Sequence, residues 1–284
     1  MKRDPKFARI SFLLWGVIAL YTAFLPSAIL VYRRLEAAIG QQATGKIPLL
    51  LVLTAGVLYA VYGFRRRGTF AHLVYLLPAA VLTYAVIRLE PNPNKHIHIP
   101  EYVVMAWLLY AALSRADQGK GLMLLIWLCG SLLGVVDEVE QGIHPRRFYG
   151  WSDMLVNSTG VLVGLLTIQG LLSPRLKPVP KIVRWRAVLP GGALLLYGLT
   201  GGVLTCARLF AVQAQERFQG VYPQGLLVWN LTFVVGVLLY FLWQRRAVSR
   251  PPAWVRVRLS PLLVIVGAIH ALVLWIAVSG SPFR

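Results

Sequence analysis

Charged residues are scarce in this sequence, and acidic residues are the scarcest of all. Only 14% of its 284 residues are charged, and 10 Asp and Glu stand against 29 Lys and Arg. Soluble domains carry about 25% charged residues, so this composition excludes an ordinary soluble domain. With 57% hydrophobic residues, the sequence predicts a polytopic membrane protein. The basic residues do not interleave with aromatics, so nucleic acid is not an expected partner.

Cysteine is also rare, and metal-binding motifs are missing. The two cysteines, Cys129 and Cys206, lie in apolar segments without CxxC spacing and are expected to be small buried side chains. Histidine and carboxylates can bind a divalent ion, but no HExxH or similar spacing supports such a site. No cofactor is therefore predicted.

Long apolar runs, in contrast, recur along the chain. A spanning helix needs about 20 mainly apolar residues, and nine segments fit: 10–32, 47–64, 70–88, 99–114, 121–142, 152–172, 187–207, 225–244 and 259–279. With the N-terminus inside, 19 basic residues fall in cytoplasmic segments and 10 outside, as the positive-inside rule requires. The predicted fold class is all-α, a polytopic transmembrane helix bundle of about nine spans.

The spans divide into two parts around one linker-like stretch. We expect a six-helix front part over residues 1–172, a cytoplasmic linker over 173–186 and a three-helix rear part over 187–284. In the rear part, apolar residues at helical spacing over 208–224 predict an interfacial helix.

The fourth span opens with a polar group. Pro100 suits the first position of a helix, where its missing N–H costs nothing. Glu101 then lies in the first turn, where the helix dipole favours an anion, and His98 lies just before it. Two interpretations of Glu101 stay open: it stabilises its own helix, or it belongs to a functional site.

The end of the fifth span carries Asp137, Glu138, Glu140 and Gln141. The helix dipole disfavours anions at this end, and clustered carboxylates repel one another. Local helix stability therefore does not explain them, and a compensating group is expected. The candidates are Arg146 or Arg147, His98, a metal ion or the substrate.

The sixth span begins with a helix-start pattern. Ser152 is a plausible N-cap and Asp153 a favourable first-turn acid. Asn157 lies one turn deeper, as a packing or a functional residue, and Gly160 and Gly164 continue the row as a small-residue track for close helix contact. The topology places all three segment ends outside, so the sequence predicts one outward-facing polar site.

The order of these residues resembles the VanZ-like integral membrane family over about residues 70–170. The matching positions are Lys95, His98, Glu101 and Tyr102; Asp137, Glu138 and Gln141; Pro145 and Arg147; and Asp153, Asn157 and Gly160. The family's namesake is associated with low-level resistance to teicoplanin, and the family has no settled biochemical activity. The resemblance implies a multi-pass protein of the bacterial inner membrane with an envelope-related function.

The leading hypothesis is a polar pocket that binds or acts on a lipid-linked or amphiphilic cell-wall molecule, with membrane lipids as further partners. In an enzymatic version, Glu138 or Asp137 is the general base, His98 an acid/base and Arg147 an anion clamp. Whether there is turnover stays open. The candidate residues are His98, Glu101, Asp137, Glu138, Gln141, Arg147, Asp153 and Asn157.

Two other classes of function compete with this hypothesis. One is a non-enzymatic scaffold or assembly subunit, in which the polar cluster is structural and helices 187–284 contact a membrane-protein partner. The other is a transporter, which we favour least because polar groups near the midplane are few. His270 and Asn230 are the exceptions, and His270 is expected to be a helix–helix hydrogen-bonding residue.

Overall fold

A computed structural model shows a helical chain and describes residues 5–115, 119–172, 185–246 and 253–284. In these ranges the α-helices are α1 (Pro5–Phe24), α2 (Ala28–Ile39), α3 (Gln41–Thr44), α4 (Ile47–Arg67), α5 (Leu76–Leu89), α6 (His98–Leu113), α7 (Leu122–Ile143), α8 (Trp151–Leu172), α9 (Trp185–Ala214), α10 (Gln224–Arg246) and α11 (Ala253–Ser279). Short 3-10 helices lie at Leu25–Ser27, Ala71–Tyr75 and Pro93–Ile97.

Eight segments of the described chain are long and apolar enough to cross a membrane. The first, Ile10–Ile39, joins α1 and α2. The remaining predicted span, 99–114, is α6, whose 16 residues cover roughly 24 Å of a hydrocarbon layer about 30 Å thick. The all-helical, multi-pass architecture is confirmed, and eight is the number of spans that length and composition support.

Helices α6 and α8 pack closely against each other within the first unit. A Cβ atom on Gly160 would lie 2.8 Å from Tyr102 Cβ, and one on Gly164 would lie 2.6 Å from Ala106 Cβ. The predicted small-residue contact is therefore confirmed. Because residue numbers rise together on both helices, α6 and α8 run parallel.

Helix α7 packs on α8 in the opposite direction. Ser131 and Ser158 share a hydrogen bond of 2.8 Å, and a Cβ on Gly134 would lie 2.9 Å from Asn157 Cβ. Residue numbers rise on α7 as they fall on α8, so the two are antiparallel. Successive helices α6, α7 and α8 thus reverse direction.

The chain divides into two compact units within α7. The first is Met1–Gly134 with Trp151–Lys177, and the second is Val135–Gly150 with Pro178–Arg284. The last part of α7 and the loop after it therefore group with α9, α10 and α11. Residues 173–184 of the expected linker lie outside the described ranges.

A buried polar network joins the three helices of the second unit. His270 Nε2–H donates to Gly198 O (3.0 Å), and His270 Nδ1 contacts Asn230 Oδ1. Asn230 also bonds the hydroxyls of Thr205 (3.1 Å) and Tyr222 (2.9 Å). The expectation that His270 is a helix–helix hydrogen-bonding residue is confirmed.

The interfacial helix predicted over 208–224 is wrong. Helix α9 continues to Ala214 and α10 begins at Gln224, with a non-helical segment between them. Phe218 stacks on Tyr222 at 4.7 Å, and Arg208 Nε–H donates to Val221 O at 3.0 Å. The apolar residues here are buried by turn packing inside the unit, which helical spacing did not reveal.

The close α6–α8 contact predicts that one added methyl group destabilises the protein. We expect Gly164→Ala to lower the melting temperature in detergent by several degrees, since overpacking costs about 1–3 kcal/mol and the new Cβ would also lie 3.1 Å from Val103 O. Gly56→Ala is the matched control, because nothing lies within 4 Å of a Cβ there. Equal melting temperatures for the two variants would contradict the close contact.

Candidate functional site

The start of α6 brings His98 and Glu101 together. His98 is the first residue of α6, and its Nδ1 lies 3.0 Å from Glu101 Oε2. Glu101 occupies the first turn, as the sequence predicted, but α6 begins at His98 and not at Pro100. His98 is only 3% exposed, so the carboxylate fixes the orientation of a buried imidazole.

An ion-pair cluster lies at the start of α8. Lys95 Nζ is 2.9 Å from Asp153 Oδ1 and 3.3 Å from Glu90 Oε2, and it donates to Ser152 Oγ at 3.0 Å. Lys95 belongs to the 3-10 helix Pro93–Ile97 that leads into α6. The cluster therefore ties the segment before α6 to the first turn of α8.

The surroundings keep Glu90 and Lys95 of this cluster charged. Burial alone would raise the pKa of Glu90, but the Asn92 N–H, the Ser152 hydroxyl and the Lys95 ammonium lower it below its usual range. Burial would likewise lower the pKa of Lys95, and its contacts with Asp153 and Glu90 raise it instead. The two groups therefore form an ion pair at neutral pH.

Asn157 lies one turn further along α8 than Asp153 of this cluster, within the first unit. It is four residues after Asp153 and hence on the same face of α8, roughly 9 Å along the helix from Trp151. Gly160, one turn deeper, faces the carbonyl of His98. Asn157 is fully buried, and neither Nδ2 nor Oδ1 has a hydrogen-bond partner among the described residues.

The end of α7 holds a second polar group, in the second unit. Glu138 Oε2 accepts from the Gly150 N–H (3.1 Å), and Oε1 accepts from Gln141 Nε2 (3.2 Å). Gln141 Oε1 accepts in turn from Arg147 Nε (2.9 Å) and from its Nη2. Of the compensating groups that the sequence proposed, Arg147 is thus connected to Glu138 through an amide, whereas Arg146 is exposed.

The candidate residues fall into both units. His98, Glu101, Asp153 and Asn157 belong to the first; Asp137, Glu138, Gln141 and Arg147 belong to the second. All except Glu101 and Arg147 are buried. The expectation that the segment ends share one pocket stays a prediction.

Sequence reasoning missed Glu90 as a member of the ion-pair cluster. It follows α5 directly, and its partner Lys95 is five residues later. Its position five residues before Lys95 was the one local signal available in the sequence.

The side chains of the first unit that could ligate a metal already have charged partners. His98 Nδ1 faces Glu101, while the carboxylates of Asp153 and Glu90 face Lys95. The prediction of no resident cofactor stays a prediction.

No protein-family model, curated protein or solved structure matches this chain. The resemblance to the VanZ-like family therefore stays a prediction, carried by the residues quoted for it. What stands independently is a multi-pass helical architecture with buried polar groups at helix ends.

The ion-pair cluster predicts that Lys95→Met destabilises the fold. Removal of the cation leaves two carboxylates, with side chains 6% and 12% exposed, without their partner. We expect a loss of about 1–3 kcal/mol, since Lys95 is partly exposed. The melting temperature in detergent measures it, and Lys46→Met is the control because Lys46 is exposed. Equal effects of the two substitutions would contradict the cluster's role.

The same cluster predicts a pH dependence. Because the pKa of Glu90 is lowered from 4.5, its stabilising contribution is present above pH 4.5 and is lost as pH falls through the folded-state pKa. Because the pKa of Lys95 is raised from 10.5, its contribution is present below pH 10.5 and is lost only above that. The difference in melting temperature between wild type and Lys95→Met should be constant from pH 5 to 9 and shrink below 4.5. A difference that grows in acid would overturn this assignment.

Proposed function

We propose that this chain is a VanZ-like envelope protein of the bacterial inner membrane, with its N-terminus in the cytoplasm and α6 counted as the ninth crossing. Its polar residues at the outer helix ends bind, or act on, a lipid-linked or amphiphilic cell-wall molecule. The alternation in direction of α6, α7 and α8 supports the count of nine. The excess of basic residues in the inner segments supports the orientation.

The buried side-chain amide of Asn157, which has no hydrogen-bond partner in the described chain, is the observation that carries this proposal. A buried amide left without partners costs about 1–3 kcal/mol, and a packing asparagine in a membrane normally bonds a neighbouring helix. Asn157 makes no such bond within the described chain. A polar group of a bound ligand would satisfy it.

Candidate side chains in each of the two units suit a phosphate-bearing or glycopeptide ligand. His98, oriented by Glu101 at 3.0 Å, is the acid/base candidate of an enzymatic version. Arg147 presents a guanidinium, the group best matched to phosphate or carboxylate oxygens, and it is oriented by Gln141. Glu138 is the candidate general base of the same version.

Replacement of Asn157 by leucine tests the proposal. We expect Asn157→Leu to keep or raise the melting temperature, because it removes an unsatisfied amide, and to lower affinity for the ligand at least tenfold. The probes are a polyprenyl monophosphate and teicoplanin, each titrated against purified protein in nanodiscs. The cellular readout is teicoplanin resistance, measured in a host that expresses each variant.

Asn230→Leu is the matched control for stability. Asn230 is equally buried but bonds Tyr222, Thr205 and His270, so its replacement should lower the melting temperature markedly. If Asn157→Leu is instead as destabilising as Asn230→Leu, or leaves binding of both probes unchanged, the binding site is rejected.

The scaffold hypothesis is the second candidate, and the closed network around Asn230 favours it for the second unit. There each polar group that bonds Asn230 also lies within the unit. Absence of binding by the wild-type protein to either probe, together with stable co-purification of one membrane protein, would favour the scaffold.

A further inference from the structure

The residues that follow α11 return to the end of α7. We call residues 281–284 the strap. Arg284 N–H donates to Gly142 O and Arg284 O accepts from Tyr149 N–H, each at 2.8 Å. Arg284 Nη1 also donates to Pro145 O at 3.0 Å. The strap thus bonds the last turn of α7 and two positions of the loop between α7 and α8.

Phe283 fixes the strap in place by packing. It is fully buried, and its ring lies 5.4 Å from that of Tyr149. The side chain fills the space beside Gly142 so closely that a Cβ on this glycine would lie 2.3 Å from the ring. Glycine is therefore required at 142 as long as Phe283 is present.

Tyr149 connects this contact to α9. Its hydroxyl donates to Cys206 O at 3.2 Å, its ring packs on Phe210 at 4.6 Å, and its carbonyl accepts from Gln213 Nε2 at 2.7 Å. The loop is thus held from both sides, by the strap and by α9, within the second unit.

The clamped loop carries the partners of the acidic end of α7. The Gly150 N–H, adjacent to Tyr149, donates to Glu138, and Arg147 donates to Gln141. A shift of the loop would move both donors and leave the buried carboxylate of Glu138 with fewer partners. Burial of a charge is tolerated only when such partners are in place.

We propose that Phe283 is a positioning residue that clamps the α7–α8 loop and thereby places Arg147 and the Gly150 amide. The strap and helices α9 to α11 then have a defined role, which is to support this loop. The effect on ligand binding rests on the proposed function, but the clamp itself does not.

Hydrogen–deuterium exchange of the purified protein tests the clamp directly. Phe283→Ala should raise the exchange rates of the Tyr149 and Gly150 amides at least tenfold, and leave peptides of α10 unchanged. Unchanged exchange in the loop would overturn the proposal. If exchange rises throughout the second unit, Phe283 is a general core residue and the positioning role is rejected.

A double-mutant cycle adds a steric test. Gly142→Ala should loosen the loop in the wild-type background, because its methyl group meets the Phe283 ring, and should be harmless when Phe283→Ala has vacated that space. Gly267→Ala is the control, since nothing lies within 4 Å of a Cβ there. Equal damage by Gly142→Ala in both backgrounds would contradict the contact.

Binding of the polyprenyl monophosphate separates the clamp from the proposed function. Phe283→Ala should weaken binding and loosen the loop, whereas Arg147→Met should weaken binding without loosening it; Arg146→Met, on the same loop, should do neither. If Phe283→Ala raises exchange in the loop but the wild-type protein binds no probe, the proposed function is rejected and the clamp is kept.

Discussion

The close approach of α6 and α8 is the constraint on which the first unit depends. Without side chains at Gly160 and Gly164, α8 reaches the backbone of α6, and a Cβ on either glycine would lie 3.1 Å from a carbonyl oxygen. Apolar surface gives little driving force between helices in lipid, so such packing is what holds them together. This packing places the start of α6 beside Gly160, well after the first residue of α8. The burial of His98 and the return of Lys95 to Asp153 follow from this offset.

Two buried asparagines, one in each unit, differ in their hydrogen bonding. Asn230 lies in a network that the second unit closes by itself, with bonds to Thr205, Tyr222 and His270. Asn157 is just as buried, but its amide has no partner in the described chain. A fold under selection for stability alone would replace such a residue with an apolar one of similar volume. The contrast favours a role for Asn157 that stability does not explain.

Local sequence patterns predicted the features that depend on neighbouring residues. Apolar length predicted the eight spans that length and composition support. The glycine spacing predicted close helix contact, without its partner helix, and Pro100 predicted the first-turn position of Glu101. Contacts between distant positions left no such trace: Arg284 and Pro145 are 139 residues apart. The segment after α9 shows the opposite error, since its apolar spacing imitated a helix while turn packing buried the same side chains.

The acidic end of α7 was a puzzle at the level of the helix, because the dipole there disfavours anions. Its resolution comes from outside the helix. Glu138 receives the Gly150 N–H from the loop, and that loop is fixed by Tyr149 against Cys206 and by the strap. An independent rear domain would complete its core with its own aromatics, yet Tyr149, before α8, packs between Phe210 and Phe283. Helices α9 to α11 and the end of α7 are therefore one packing unit, built around the loop that carries Arg147.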